Sequence, residues 1–99
     1  MMHQTVHGPI SSAPVRVRPP YDQRDGAAEQ RQNETLYHWW DRRCADGFAA
    51  LLTPLEGLDL SDYERHTLRW LAGREDSTIA VVAALLHRAR AAHPLVTQP

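Results

Sequence analysis

The clearest hydrophobic pattern lies between residues 61 and 92, where two helical periodicities flank a short polar turn. In the first, apolar residues recur every three or four positions, which predicts a helix over residues 61–73. The residues on its predicted core face are Tyr63, Thr67, Trp70 and Leu71, with Leu68 at the edge. In the second, predicted over residues 77–92, residues 79–86 are apolar on every face. Such a helix is either the centre of a domain or half of a subunit interface.

The ends of these two helices carry recognisable signals. Ser61 and Glu64 have the S-x-x-E spacing of a capping box, which predicts the start of the first of them. Gly73 is predicted to end that helix in the left-handed conformation. Asp76 or Ser77 is predicted to cap the following helix. The polar turn between the two helices is therefore short.

An earlier apolar stripe predicts another helix over residues 30–52, starting between positions 27 and 33 and ending before Pro54. Its members are Leu36, Trp39, Trp40, Cys44, Gly47 and Leu51, with Phe48 at the edge. Gly47 weakens a helix but lets another backbone approach closely. Arg43 lies near the stripe, so it must extend to solvent or pair with an acid.

The remaining segments are connectors and tails. Prolines and the absence of apolar periodicity predict a disordered Pro/Arg-containing tail over residues 1–28. Within it, residues 14–18 alternate apolar and basic, so a short edge strand or an arm that orders on a partner are alternatives. Residues 94–99 are a predicted short tail. The predicted fold is an all-α, three-helix domain over residues 29–93, with the last helix the most buried and three leucines of the connector at 53–60 covering the core.

Composition limits the size of the core and the kind of partner. The chain has 99 residues and a formal charge of −1, so the strongly basic balance of many nucleic-acid binders is absent. Thirteen residues are Ala, which leaves few large apolar side chains for a core. We therefore expect self-association or a partner to add stability. All eleven basic residues are Arg, which suits bidentate contacts, although codon usage in a GC-rich genome accounts for it more simply.

Several classes of function are excluded by what the sequence lacks. Cys44 is the single cysteine, so neither an intramolecular disulfide nor a cysteine-based zinc site is expected. The six histidines have no metal-ligand spacing, so no metal and no cofactor are predicted. No nucleophile or phosphate-loop motif is present, so no catalytic residue and no enzymatic activity are predicted. The longest apolar run has eight residues and no secretory signal is recognised, which predicts a cytoplasmic protein without a membrane span.

The functional prediction is a non-enzymatic helical interaction protein that acts through self-association, for example as a dimer, or through a partner protein. It depends on the helix without a polar face and on a pair of tryptophans, the residue type that dominates interface energetics. The predicted partner-binding residues are Trp39, Trp40, Ile79, Val82 and Leu86. The alternative for the tryptophans is that both belong to the core or its edge.

A small DNA-binding or DNA-associated regulator is the alternative function. A helix, a short turn and a basic-ended helix have the outline of a helix-turn-helix, and ERHTLRWLAG resembles the first helix of such regulators. On this alternative the nucleic-acid-binding residues are Arg16, Arg18, Arg88 and Arg90. The chain departs from that pattern because the second helix is apolar where base-reading side chains belong, and Glu75 and Asp76 put negative charge at its start.

The same region resembles a second group of proteins. Its L-x-W-L-A-G run, an acidic turn and a Thr/Ala/Val-rich helix ending in R-A-R are similar to a stretch of small uncharacterised actinobacterial proteins. The absence of lysine fits that source. The resemblance implies an origin, but it implies neither an activity nor binding residues.

Overall fold

The computed structural model describes residues 7–24 and 29–95, and these residues form three α-helices. Helix α1 spans Leu36–Leu52, α2 spans Asp62–Leu71 and α3 spans Asp76–Ala92, with a 3₁₀ turn at Thr53–Leu55 after α1. The described residues contain no strand, so the predicted all-α fold is confirmed. None of the described helices is both long enough and apolar enough to cross a membrane.

Helix α1 begins later than the predicted start between positions 27 and 33. Asn33 has a φ of 68°, a left-handed conformation that interrupts any helix at that point. The Thr35 hydroxyl then accepts a hydrogen bond of 3.1 Å from the backbone N–H of His38, which makes Thr35 the N-cap. The predicted start was wrong because the apolar stripe fixes the helix axis but not its first turn.

The loop before α1 is fastened to the helix by an ion pair. The Glu34 carboxylate accepts hydrogen bonds from Nε and Nη2 of Arg42, at 3.1 and 3.0 Å, and from the backbone N–H of Arg31 at 2.9 Å. Arg42 also donates to the carbonyl of Glu29 at 2.8 Å. The hydrogen bonds from Arg42, followed by that from Arg31, lower the pKa of Glu34 to about 2. Ionised Glu34 therefore stabilises the entry to α1.

The turn between α2 and α3 differs in detail from its prediction. The capping box of Ser61 and Glu64 is present in full. Gly73 does not adopt the predicted left-handed conformation; its N–H donates to the Trp70 carbonyl at 3.1 Å, and among the described glycines only Gly57 has a positive φ. Neither Asp76 nor Ser77 caps α3, whose N-cap is Glu75 without a side-chain hydrogen bond. Asp76 is instead paired with Arg43, which satisfies the prediction that this arginine needs an acid.

The three helices converge at Gly47. A Cβ atom at this position would lie 3.2 Å from the Ala72 carbonyl oxygen and 3.2 Å from Cδ1 of Ile79. The predicted close approach at Gly47 is thus confirmed, and the surrounding core contains Leu51 and Ile79, which are 0% and 1% exposed. Helix α3 contributes most to it, as predicted, because its buried residues are Ile79, Ala80, Ala83 and Ala84, whereas α2 has none.

Residues 7–24 form an irregular segment, called the N-terminal arm below, that lies against α1 and α3. Val17 is 8% exposed and belongs to the core cluster, and Arg18 pairs with Asp46 of α1 at 3.2 Å. The arm contains no strand, so the edge strand offered as an alternative for residues 14–18 is absent. The disorder predicted for residues 1–28 stays a prediction, and positions 1–6, 25–28 and 96–99 lie outside the described residues.

Substituting Gly47 with Ala should destabilise the protein, although Ala is the better helix former. In an exposed helix the change adds about 1 kcal/mol of stability. Here the added methyl group meets a backbone carbonyl and a buried Ile side chain, so we expect a net loss of about 1–3 kcal/mol by chemical denaturation. Ala45→Gly on the exposed side of α1 calibrates the propensity term alone. A stabilised Gly47→Ala variant would show that the junction has room.

Replacing Glu34 with Gln should lower stability at neutral pH but not in strong acid. Because the folded-state pKa of Glu34 lies near 2, below its unfolded value of about 4.3, its contribution is present above about pH 4.3 and disappears as the pH falls toward 2. Unfolding curves of wild type and variant should therefore converge in that window. Glu29→Gln, which removes a carboxylate from a more exposed pair with Arg24, is the matched control. If the difference in stability between wild type and variant were the same at all pH values, the stabilising role of ionised Glu34 would be contradicted.

Candidate protein-binding surface

Large apolar side chains are exposed on α1 and α2. We call this set the aromatic surface, and its members are Leu36, Tyr37 and Trp40 of α1 with Tyr63 and Trp70 of α2. Trp40 is 50% exposed, Trp70 64% and Tyr63 81%. Singly scattered apolar residues need no explanation, but aromatic residues repeated along two helices mark a candidate interaction site.

On α1 the exposure arises because the helix extends beyond its packing partners. The α2–α3 turn meets α1 at its second and third turns, where Asp76 pairs with Arg43 and a Cβ on Gly73 would lie 4.0 Å from Sγ of Cys44. Trp40 lies one turn before Cys44 on the same stripe, and Leu36 one turn earlier still. The apolar stripe that forms the core farther along α1 therefore continues into solvent at its N-terminal end.

On α2 the exposure arises because the helix is rotated relative to its predicted orientation. Ala72, directly after the helix, is buried against Gly47, and Leu71 packs against the core cluster. Tyr63, Thr67 and Trp70, which were predicted to face the core, are exposed. By helical geometry they lie roughly a third of a turn away from the buried side. Only a small residue such as Ala72 fits against Gly47, so the stripe of Tyr63, Thr67 and Trp70 faces outward.

The guanidinium groups of two arginines lie over aromatic rings of α1 and α2. The Arg74 guanidinium carbon is 5.5 Å from the Trp70 ring centroid, and that of Arg69 is 4.4 Å from the centroid of Phe48. Tryptophan and arginine are both among the residue types enriched at binding hot spots, and both offer large planar surfaces. Phe48 is covered by this contact, whereas Trp70 keeps most of its surface.

The predicted partner-binding residues fall in different environments. Trp40 is on the surface, while Trp39 is partly buried with the Arg43 guanidinium 4.9 Å from its ring centroid. Ile79 was wrongly assigned to a partner surface, because it fills the junction at Gly47 and is 1% exposed. Val82 packs against the core cluster and Leu86 is half-buried. Sequence reasoning missed Trp70 and Tyr63, whose spacing was visible but was assigned to the core.

The apolar residues 79–86, which surround α3 on every face, are covered largely within one chain. Residues 8–10 of the arm line a groove with Val81, Ala84 and Leu85, and residues 10–14 line a second groove with Val81 and Val82. Leu85 alone among the large apolar residues of α3 is strongly exposed, at 52%. The helix without a polar face is therefore the central element of the domain, which was one of its two predicted roles.

The arginines of the DNA-binding alternative are mostly engaged within the chain. Nη1 of Arg90 donates to the carbonyls of Pro54, at 2.9 Å, and Glu56. Arg18 donates to Asp46 at 3.2 Å, and Arg16 donates to the side-chain oxygen of Gln23 at 3.1 Å. Arg88 is exposed. Three of the four thus have contacts that organise the arm or the connector.

Two further features bear on the chemistry of the surface. In the described part of the chain, no three His, Cys, Asp or Glu side chains are grouped as a metal site would need. Burial, followed by the charge of Asp41, raises the pKa of the Cys44 thiol, so it stays protonated at neutral pH. Cys44 therefore acts here as a small apolar residue beside the α2–α3 turn.

No protein-family model, no curated protein and no solved structure matches this chain. The resemblances to helix-turn-helix regulators and to actinobacterial proteins therefore stay predictions. What the chain does must be argued from its own surface.

Arg90 should matter for stability rather than for nucleic-acid contact. Arg90→Ala removes the donors that hold the two connector carbonyls, so we expect a loss of about 1–2 kcal/mol in the free energy of unfolding. Arg88→Ala, an exposed neighbour on the same helix, should change stability by less than about 0.5 kcal/mol. Equal effects of the two substitutions in urea unfolding would contradict the assigned role of Arg90.

Proposed function

We propose that this protein is a small non-enzymatic interaction protein that binds another protein chain through the aromatic surface, a second copy of itself being the favoured occupant. The observation that carries the proposal is the outward orientation of Trp40 and Trp70, which are 50% and 64% exposed. Other residues, mainly of α1 and α3, form the core of the domain. Burying a tryptophan removes about 150–250 Å² of surface from water. Two such anchors with an adjacent arginine have the composition of a hot spot.

The charge distribution on α2 favours a second copy. Asp62 and Glu64 lie in the first turn of the helix, whereas Arg69 lies in its last turn. A two-fold axis across α2 places two copies of the helix antiparallel, so that the acidic end of each faces the basic end of the other. The aromatic stripe of Tyr63 and Trp70 then lies between the charged ends.

A cytoplasmic location is part of the same proposal. Cys44 is a free thiol, which is typical of proteins that work under reducing conditions. A DNA-binding function has less support, because Arg16, Arg18 and Arg90 are engaged within the chain. It remains an outcome that the experiments below separate from self-association.

Trp40→Ala and Trp70→Ala should each weaken self-association. Loss of one buried anchor costs about 2 kcal/mol or more, which raises the dissociation constant about thirtyfold. Sedimentation velocity over a concentration series measures this, with circular dichroism checking that the helices are intact. Leu85→Ala removes an exposed apolar residue from α3 and should leave the association unchanged.

Each alternative has its own outcome in these measurements. Wild type that stays monomeric throughout the series excludes the second copy as occupant. Weakening by Leu85→Ala, but by neither tryptophan substitution, would move the interface to α3. Salt-sensitive retention of duplex DNA that Arg88→Ala reduces would favour the regulator instead.

A further inference from the structure

Two histidines far apart in the sequence lie face to face. The ring of His7 in the arm stacks on that of His87 in α3, with 3.9 Å between centroids and 6° between planes. A hydrogen bond of 2.7 Å joins Nδ1 of His7 to the hydroxyl of Tyr21, also in the arm. The stack therefore connects the outer end of the arm to the C-terminal half of the central helix.

The stack fixes one end of a segment that covers apolar surface. From His7 to residue 14 the arm follows α3 in the opposite direction, with residues 8–10 beside Val81, Ala84 and Leu85. The other end is held by the buried Val17 and by the pair of Arg18 with Asp46. Between these anchors Pro14 is also buried, so the arm is held at its two ends and at one point between them.

The surroundings of the two rings disfavour their charged forms. Burial lowers the pKa of His7, and the proximity of His87 lowers it further; burial and then Arg18 lower the pKa of His87. Among the described residues of the arm, the ionisable groups near the pair are Arg18, Tyr21 and Asp22, the last of which lines a pocket with Gly8 and Tyr21. From α1 comes Asp46, already paired with Arg18, and on α3 the next residue is Arg88. Asp46 is therefore neutralised and the basic groups oppose protonation, whereas the carboxylate of Asp22 favours it.

We propose that the His7–His87 stack is a pH-sensitive latch: with both rings neutral the arm lies on α3, and protonation places like charges face to face and releases the arm. Release uncovers the surface of α3 at Val81 and Ala84, beside the already exposed Leu85, and this surface is separate from the aromatic surface of α1 and α2. The latch therefore goes beyond the proposed function and does not depend on it.

The direction of the pH effect follows from the lowered pKa values. A group whose pKa falls when the arm is closed favours the closed state while it is neutral. The contact is then complete above the free histidine value of about 6.5 and is lost as the pH falls through the lowered values.

Proton NMR of the full-length chain between about pH 7.5 and about pH 5 tests the latch. His7 and His87 should titrate below the free histidine value of about 6.5, and the amides of residues 81–85 should shift with the same midpoint. Exchange of the Val15 N–H, which bonds to the Tyr21 carbonyl at 2.9 Å, should accelerate at least about tenfold in acid after correction for intrinsic rates. Ordinary, independent titration of His7 and His87 would overturn the latch.

Substitutions separate charge from ring shape. His87→Phe keeps a ring that cannot be protonated, so the arm should stay closed at about pH 5. His7→Lys carries a permanent charge on the arm, outside the helices, so protonation of His87 alone should release the arm. His66→Phe on the exposed side of α2 is the matched control and should leave the transition unchanged. An arm that opens in acid in the Phe variant as in wild type would refute the role of His87.

These measurements are made in the Trp40→Ala, Trp70→Ala background as well as in wild type. The latch should persist there, because neither tryptophan contributes to it. Its failure and the failure of self-association are therefore distinguishable.

Discussion

The close approach at Gly47 is the constraint on which the rest of the structure depends. At this point α1 has no side chain, so the end of α2 and the side chain of Ile79 both reach its backbone. The chain has few large apolar residues. Close helix packing increases the contribution of each one, because every contact removes several atoms from water and adds dispersion contacts. The alanines of α3 extend the same tight packing along the helix.

The exposed aromatic residues are a consequence of this junction. If Tyr63 and Trp70 faced the core, α2 could not bring Ala72 to within contact of Gly47, because their rings would hold the helices apart. The tight junction therefore directs the large residues of α2 outward, while Leu36, Tyr37 and Trp40 near the start of α1 are exposed as well. The composition of the core and that of the surface are therefore linked, because small residues at the helix junction require the aromatic residues of α2 to lie outside it.

Local signals predicted well what they control, and long-range packing accounts for the rest. The capping box at Ser61 and the close approach at Gly47 were predicted from residue type and spacing, and the structure shows both; of the two alternatives for Arg43, it shows the pairing with an acid. The periodicity of α2 gave the right helix and placed Leu71 correctly, but Tyr63, Thr67 and Trp70 are exposed because the buried side turns toward Leu71 and Ala72. The contact of His7 with His87 spans most of the chain, and no spacing rule indicates it.

The arm resolves the feature of the sequence that most resembled an interface. Residues 79–86 are apolar all round because α1 covers one side of α3 and the arm covers part of another. These two covers differ in kind. The α1 side is held by fully buried Leu51 and Ile79, which no change of pH affects, whereas the arm is held by buried Val17 together with an exposed ion pair and a ring stack that titrates. The protein therefore exposes apolar residues of α1 and α2 at every pH, and the proposed latch adds a surface on α3 whose exposure depends on the charge of two histidines.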